Sequence, residues 1–504
     1  MALTVLSRGV LIAPFCLALS RFVCYAKESE QQAESAVRIG VIGAGIGGSS
    51  CSFYLRQLFG KDAELDVYEA GEIGGRLATV SIGGHVYESG ATVIHPKNMY
   101  MQRFVRDLGL KHKDRPTTGK KMGFYNGEEF VFIESQWSVV TLAKMFWKYG
   151  FDLLKLRKAV GVLIENFSRI YDVHDNGIAY TSVEGILNAM GGREYVNLTK
   201  VSLAEVLKEH GYADEFVADM VSIAARVNYG QQTNMSAFAG EVSLAGVQGG
   251  LWSVHGGNKQ VCSRLLEKSK ATLYKSTVSG IKLAKGDKPG YYLIIAEPPD
   301  KNGNISAHVA GKYDIIVIAT PLHHGKTDLK FKSFPKEITN FPDPFHRTVA
   351  TYVDGELNFR AFGFDSKEDC PTEILTTRDN KFGINSVAHN YPVDYQKGKT
   401  ETQKPVWKVF SREPLTDNQL GTLFTSRKET KVVDWLAYPH YDPPDTLSSF
   451  ELHAGLYYIN SVEWAASAME MVAVGGRNTA LLAYNKYHGL NDKIDAKWKP
   501  KTEL

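Results

Sequence analysis

The chain is short of cysteine, of net charge and of long apolar runs. Its 504 residues include five cysteines: Cys16, Cys24, Cys51, Cys262 and Cys370. Loss of an N-terminal leader would leave three, which argues against a disulfide framework. No pair of cysteines has metal-ligand spacing, and the 14 histidines include no His-Glu-x-x-His pattern. No metal site is therefore expected; His323-His324 reads as a solvated loop pair. The formal net charge is +3, two of it from Arg8 and Arg21 near the N-terminus. Charge thus gives no reason to expect nucleic acid as a partner. No segment beyond the N-terminal stretch reads as a transmembrane helix. There is no repeat or low-complexity tract, and no catalytic triad or carboxylate dyad stands out, so the catalytic residues are left unassigned.

What is present is concentrated near the start. Residues 1–26 read as a signal peptide: Arg8, an apolar stretch from Val10 to Leu19, and the small-residue site Cys24-Tyr25-Ala26. Val37 to Ile42 is then a short apolar run fit for a parallel strand buried on both faces. Gly43-Ala44-Gly45-Ile46-Gly47-Gly48 follows it directly. Gly43 permits the tight turn, Gly45 lets the backbone approach a pyrophosphate, and Gly48 lets the next helix pack close. That helix, from about Gly47 to Phe59, would aim its N-terminal N–H groups at phosphate. A second strand-like run, Leu65 to Tyr68, ends in Glu69. A carboxylate there can accept hydrogen bonds from both ribose hydroxyls of an adenosine.

Gly74-Gly75-Arg76-Leu77-Ala78-Thr79 is the second signal. Gly75 allows a close loop, and the planar fork of Arg76 can neutralise a pyrophosphate. The segment resembles the flavin-binding loop of amine oxidases, phytoene desaturases and protoporphyrinogen oxidases. Glu88-Ser89-Gly90-Ala91 fits the small-residue turn that approaches the flavin in those families. The cofactor expected is therefore FAD.

The rest of the chain alternates between nucleotide-binding and inserted sequence. The expected pieces are 37–110, 246–330 and 451–489 for FAD. Insertions of 111–245, mainly helical, and 331–450, strands and loops, build a substrate domain, and 490–504 is a C-terminal tail. Tyr313 to Ile318 reads as a buried strand, Thr277-Val278-Ser279 as a strand, Leu456 to Asn460 as a last strand, and Ala465 to Tyr484 as a long helix. The helix N-terminus would stabilise negative charge on a reduced flavin, with Glu463, Met469 and Glu470 around the turn. Three readings stay open for the aromatic-rich stretch from Trp137 to Tyr171: a helical core, a lining for a long apolar ligand, or a membrane-facing amphipathic surface.

Longer words carry a more specific resemblance: Val93 to Pro96, Arg226 to Gln231, Leu251 to Lys259, Trp435 to His440 and Glu463 to Glu470. Together with the glycine motifs they resemble the prenylcysteine oxidases from about Val37 to the C-terminus. That family contains the oxidase and an oxidase-like paralogue. Ser243 to Gln248 is nearer the paralogue and Ala466 to Met471 nearer the oxidase, so both stay open. No tyrosine pair flanks the turn before Met469, which argues against an amine substrate needing an aromatic cage.

The resemblance implies an α/β fold: a Rossmann-type FAD-binding domain of the flavin amine oxidase kind, interleaved with an α+β substrate domain. In resembling flavoproteins the backbone at the Val278 position meets the adenine. It implies oxidation of S-farnesyl- and S-geranylgeranyl-cysteine with molecular oxygen, giving cysteine, a prenyl aldehyde and hydrogen peroxide. The substrate's amino-acid head needs a carboxylate partner, for which Arg226, His255 and Lys259 are candidates. It also implies a lysosomal location reached by the secretory route, with secretion or a membrane or lipoprotein surface as further expectations. Four sequons, at Asn166, Asn197, Asn234 and Asn304, agree with that route. The final Lys501-Thr502-Glu503-Leu504 echoes an ER-retrieval tetrapeptide, with the second position departing from it.

Overall fold

A mainly parallel sheet, with one antiparallel edge strand, organises the nucleotide-binding part, and its strands come from widely separated stretches of chain. In the computed structural model, the spatial order is 451–453, 456–458, 315–318, 38–42, 64–69, 272–275. Arg38–Ile42 lies at the centre, parallel to Ile315–Ile318 on one side and Glu64–Glu69 on the other. All three expected FAD pieces supply strands to this one sheet. The structure describes residues 36–498, except 115–120, 136–137, 247–248, 287–289, 298–305, 324–326, 340–343 and 399–403. The signal-peptide segment, the C-terminal tetrapeptide, Trp137, Asn304 and His324 lie outside the described residues.

Seven helices matter for the site: α1 (Ile46–Phe59), α2 (Met99–Asp107), α3 (Ser138–Tyr149), α4 (Asp152–Asp175), α5 (Ser222–Tyr229), α6 (Lys259–Ser269) and α7 (Met469–Tyr487). The first and last pack face to face because both carry glycine pairs. A Cβ at Gly47 would stand 2.9 Å from Val472, and one at Gly476 would stand 2.5 Å from the Ser50 hydroxyl. Only hydrogen at these positions permits so close an approach. The long terminal helix starts at Met469, four residues later than the Ala-rich pattern suggests, because Ile459–Trp464 first forms a 3-10 turn.

Two further sheets complete the fold. One has four strands in the order 307–313, 291–296, 277–283, 330–332, and it buries Val278, Ile281, Tyr291 and Leu293 beside Tyr68. The other has seven, in the order 424–439, 345–357, 406–411, 384–390, 373–376, 122–125, 130–133. The first insertion is mainly helical, as expected, but it also supplies the last two strands of this sheet, which the sequence reading did not anticipate. Met122–Tyr125 pairs in parallel with Glu373–Thr376 from the second insertion, so the two insertions share a sheet. The signal was local and short: aromatic and β-branched residues on either side of Gly127, whose φ of +99° makes the turn. Helical periodicity in the longer flanking sequence masked it. His323 also departs from expectation. It is buried and stacked on Phe345 at 4.0 Å, not solvated.

Candidate active site

The loop from the first strand into α1 is shaped by what its glycines exclude. Gly43 has φ +102°, and a Cβ there would lie 2.7 Å from the Ala319 carbonyl oxygen. A Cβ at Gly48 would lie 1.9 Å from the carbonyl oxygen of Gly43. Gly45 differs: its Cβ would meet nothing nearer than the Gly74 carbonyl oxygen at 3.7 Å. Space is therefore kept open above Gly45, at the N-terminus of α1. That helix has no side-chain cap and no acid in its first turn. Its free N–H groups suit a phosphate.

The two glycine motifs meet backbone to backbone. The Gly74 N–H donates to the Ala44 carbonyl at 3.0 Å, and Gly45 and Gly74 form a parallel bridge. Glu69 closes the far side of the loop. Its carboxylate accepts from the Ala44 N–H at 2.7 Å and the Gly71 N–H at 2.8 Å. Its carbonyl takes the Ser276 N–H at 3.0 Å. Val278, two residues further, has its side chain in the core, which leaves only backbone for a ligand.

Arg76 leaves this loop toward the third FAD piece. Its guanidinium pairs with Glu463 and donates to the Ala437 carbonyl at 2.8 Å. Glu463 is buried, and among the described residues its second carboxylate oxygen has no hydrogen-bond partner; nor has Oδ1 of buried Asn460 in the same 3-10 turn. Buried acceptors without donors are costly. A ligand bearing hydroxyls would satisfy them, and the ribityl chain of FAD is such a ligand. The open space over Gly45, the uncapped α1 N-terminus and these acceptors together fit FAD.

The Glu88 turn is held more firmly than its sequence suggested. The Glu88 carbonyl oxygen receives Tyr352 Oη at 2.9 Å, Asn390 Nδ2 at 3.4 Å and Lys408 Nζ at 3.5 Å. Its carboxylate accepts the Asn258 N–H at 2.6 Å, while Oε2 has no partner among the described residues. Burial pushes that carboxyl up to about 7. Asn258 then ties the turn to the start of α6. Its Nδ2 donates to the carbonyls of Ala91 (2.9 Å) and Thr92 (3.0 Å), and its Oδ1 accepts the Val254 N–H at 2.9 Å. Lys408 is buried between aromatic rings, with Nζ 4.6 Å from the Phe410 centroid, and burial lowers it to about 8. Sequence reasoning assigned no role to Asn258 or Lys408. A signal existed for the second: a lone charge inside the strand Val-Trp-Lys-Val-Phe-Ser.

The residues before α7 are placed unevenly. Met469 begins the helix, which has Ala468 at its N-cap and no side-chain cap. Glu470 turns away to cap another helix. Its buried carboxylate accepts the N–H groups of Tyr100 (2.7 Å) and Met101 (3.0 Å) at the start of α2, and Tyr171 Oη at 2.8 Å. Burial raises it to about 7. Tyrosines do reach the preceding turn, from far away in sequence. Tyr229 Oη donates to the Ser467 carbonyl at 3.0 Å, and Tyr441 Oη accepts the Ser467 N–H at 2.7 Å. Their rings cross at 83°, and their hydroxyls are spent on backbone, so they brace the turn and do not form parallel cage walls.

The three candidates for the substrate head separate. Lys259 stands beside Gly74, with its ammonium 3.8 Å from Glu72, and His255 opens the same short segment as Asn258. Arg226 is buried in α5 and tied to another hairpin. Its guanidinium is spent on Asp379 (2.9 Å), Asn385 (3.0 Å) and Thr376 (3.2 Å), which is a structural engagement. Asn197 and Asn234 are exposed, whereas Asn166 is partly buried in α4. Among the described residues no cluster of three potential metal ligands occurs.

Comparison with known proteins places this frame. Residues 132–496 match the family model described as prenylcysteine lyase, and 41–108 match a NAD(P)-binding Rossmann-like domain. The chain is 42% identical to mouse (Mus musculus) prenylcysteine oxidase 1 over 91% of both chains. It is 41% identical to human (Homo sapiens) prenylcysteine oxidase 1-like, over 93% of this chain and 94% of that one. Among solved structures it is similar to cyclohexylamine oxidase from Brevibacterium oxydans (16% identity, TM-score 0.56, covering 90% and 100%). Putrescine oxidase bound to putrescine is another (15% identity, TM-score 0.52, covering 88% and 98%). At such identities these two show the fold: a flavin amine oxidase architecture.

Proposed function

The chain belongs to the prenylcysteine oxidase family, and from that premise we propose that it is an FAD-dependent thioether oxidase. Its substrates are S-farnesyl- and S-geranylgeranyl-cysteine from degraded prenylated proteins. Thioether, oxygen and water are converted to cysteine, prenyl aldehyde and hydrogen peroxide. The observation that carries the reading is that family similarity spans nine-tenths of the chain and includes a frame fitted to FAD.

When bound, FAD supplies hydride acceptance and the reduction of oxygen. The carbon beside sulfur is allylic, so a cation left there is stabilised by both neighbours. Water adds to it, and the adduct collapses to aldehyde and thiol. A thioether carries no proton to be removed first, so no strong general base is required. The chain's own task is placement. The glycine loop and the α1 N-terminus would hold the pyrophosphate, while Arg76, Glu463 and Asn460 would hold the cofactor's middle. Asn258, Tyr352 and Lys408 fix the Glu88 turn from behind. Lys259 and His255 stay candidates for the substrate head. Turnover of S-farnesylcysteine by FAD-loaded protein, followed by coupled peroxide detection, tests the reading; S-alkylcysteines without the alkene should be poor substrates.

The proposed location is the lysosome, reached through the secretory route, with some protein secreted. The leader-like sequence at 1–26 and the exposed sequons at Asn197 and Asn234 support it. A mobility shift on endoglycosidase treatment, lost in Asn197→Gln/Asn234→Gln, tests the glycosylation.

A further inference from the structure

The bend between α3 and α4 keeps large apolar side chains in water. Trp147 is 91% exposed, Phe151 and Val139 each 76%, and Leu142 61%, with Leu154 and Phe146 about half exposed. Val139, Leu142, Phe146 and Trp147 stand at i, i+3, i+7 and i+8, which is one face of a helix. Gly150, with φ +54°, turns the chain so that Phe146 and Phe151 meet edge to face at 5.6 Å. The apolar face therefore continues across the bend.

The opposite face already holds the elbow in place. Tyr149, Leu156 and Val160 pack into one core cluster and Met145 into another. Folding is thus served without the outer residues. Single exposed apolar residues are ordinary, but a continuous band marks a contact surface.

Charge decides between occupants. From Ser138 to Val162 the charged residues are Lys144, Lys148, Lys155, Arg157 and Lys158 against one acid, Asp152. Asp152 is engaged by the Ala213 N–H at 2.9 Å, and Lys148 pairs with Asp219 at 2.7 Å and faces Glu215 at 3.7 Å. Lys155 donates to the His210 carbonyl. Lys144, Arg157 and Lys158 are exposed, and among the described residues none of them has a carboxylate at ion-pair distance. A second copy of this chain docked face to face would set basic rim against basic rim. An anionic lipid surface meets both requirements, because aromatic and aliphatic groups enter the interface while lysine and arginine meet phosphate.

We propose that the α3–α4 elbow docks this protein on anionic bilayers, with Trp147 and Phe151 entering the interface and Lys144, Arg157 and Lys158 contacting lipid phosphates. The lipid contact itself does not depend on the oxidase reading.

The test is flotation of the full, FAD-loaded protein with phosphatidylcholine vesicles, with and without phosphatidylserine. The parent protein should float with the mixed vesicles, less so at high salt. Trp147→Glu/Phe151→Glu should lower the floating fraction about tenfold. Lys144→Glu/Lys158→Glu should abolish the preference for phosphatidylserine. Because all four side chains are exposed, flavin content and turnover of detergent-dispersed substrate should be unchanged in both variants. Absence of flotation, equal flotation of parent and Trp147→Glu/Phe151→Glu, or a parent dimer that this variant converts to monomer would each overturn the proposal. Flotation without turnover would instead sink the oxidase reading alone.

Discussion

Arg76 and Glu463 form an ion pair across 387 residues of chain, and the carboxylate oxygen that Arg76 leaves free has no partner among the described residues. The pair joins the first FAD piece to the third. Arg76→Ala would leave a buried carboxylate uncompensated, a change that costs about 3–5 kcal/mol in fully buried pairs. Arg76 is partly exposed, so a smaller loss is expected here. The variant should also lose most of its flavin on gel filtration, and Arg76→Lys should keep part of it. Full flavin retention in Arg76→Ala would show that the pair does not serve the cofactor.

Two glycines three positions apart should fail differently. A Cβ at Gly48 would collide with backbone at 1.9 Å, so Gly48→Ala should destabilise the protein by about 2 kcal/mol or more. A Cβ at Gly45 meets nothing within 3.7 Å. Gly45→Ala should therefore leave the stability of flavin-free protein within about 0.5 kcal/mol of the parent while weakening FAD binding. Denaturant unfolding of apoprotein alongside flavin titration separates the two effects.

Glu88 should impose a pH dependence on stability. Its carboxyl is raised by burial from 4.5 to about 7, so between those values the native state binds its proton more tightly than the unfolded chain. Its contribution to stability therefore declines as pH rises through that window. Burial lowers His174 to about 3 and His346 to about 4, and these act in the opposite direction as pH rises toward 6.5. Glu88→Gln removes only the declining contribution. Relative to the parent, the variant should gain about 2 kcal/mol between roughly pH 5 and pH 7. Urea titrations at the two pH values check this, and a difference that does not change with pH contradicts it.

Glu470 is spent on α2. Glu470→Ala removes the acceptor for two backbone N–H groups and the Tyr171 hydroxyl. It should cost about 2–4 kcal/mol of stability. Flavin affinity of the folded fraction should change little. Loss of flavin without loss of stability would return Glu470 to the cofactor site.

How much of this was legible depends on the range of the contacts. The Gly43–Gly48 loop, Glu69 and the Gly74–Arg76 loop could be read because each is a short word whose spacing has a steric meaning. Glu463 was expected at the turn before the long helix, but not paired with Arg76. Apart from the local Asn258–Val254 bond, Asn258, Lys408 and the Tyr229–Tyr441 brace act on residues from 26 to 320 positions away, and no periodicity records such partners. The hairpin at 122–133 was missed for the same reason, since its sheet partner lies in the other insertion. Arg226 looked like a free guanidinium because Asp379, Thr376 and Asn385 are remote in sequence. The apolar excess from Trp137 to Tyr171 was plain, but only the fold shows which of its side chains face water.

The central claim is oxidation of a prenyl thioether at a flavin held by this frame. Anaerobic mixing of FAD-loaded protein with S-farnesylcysteine, followed by visible absorbance, tests it most directly. The account predicts loss of the oxidised-flavin band, then hydrogen peroxide, farnesal and free cysteine in equal amounts once air is admitted. A protein that holds FAD and keeps its colour with both farnesyl and geranylgeranyl substrates would contradict it.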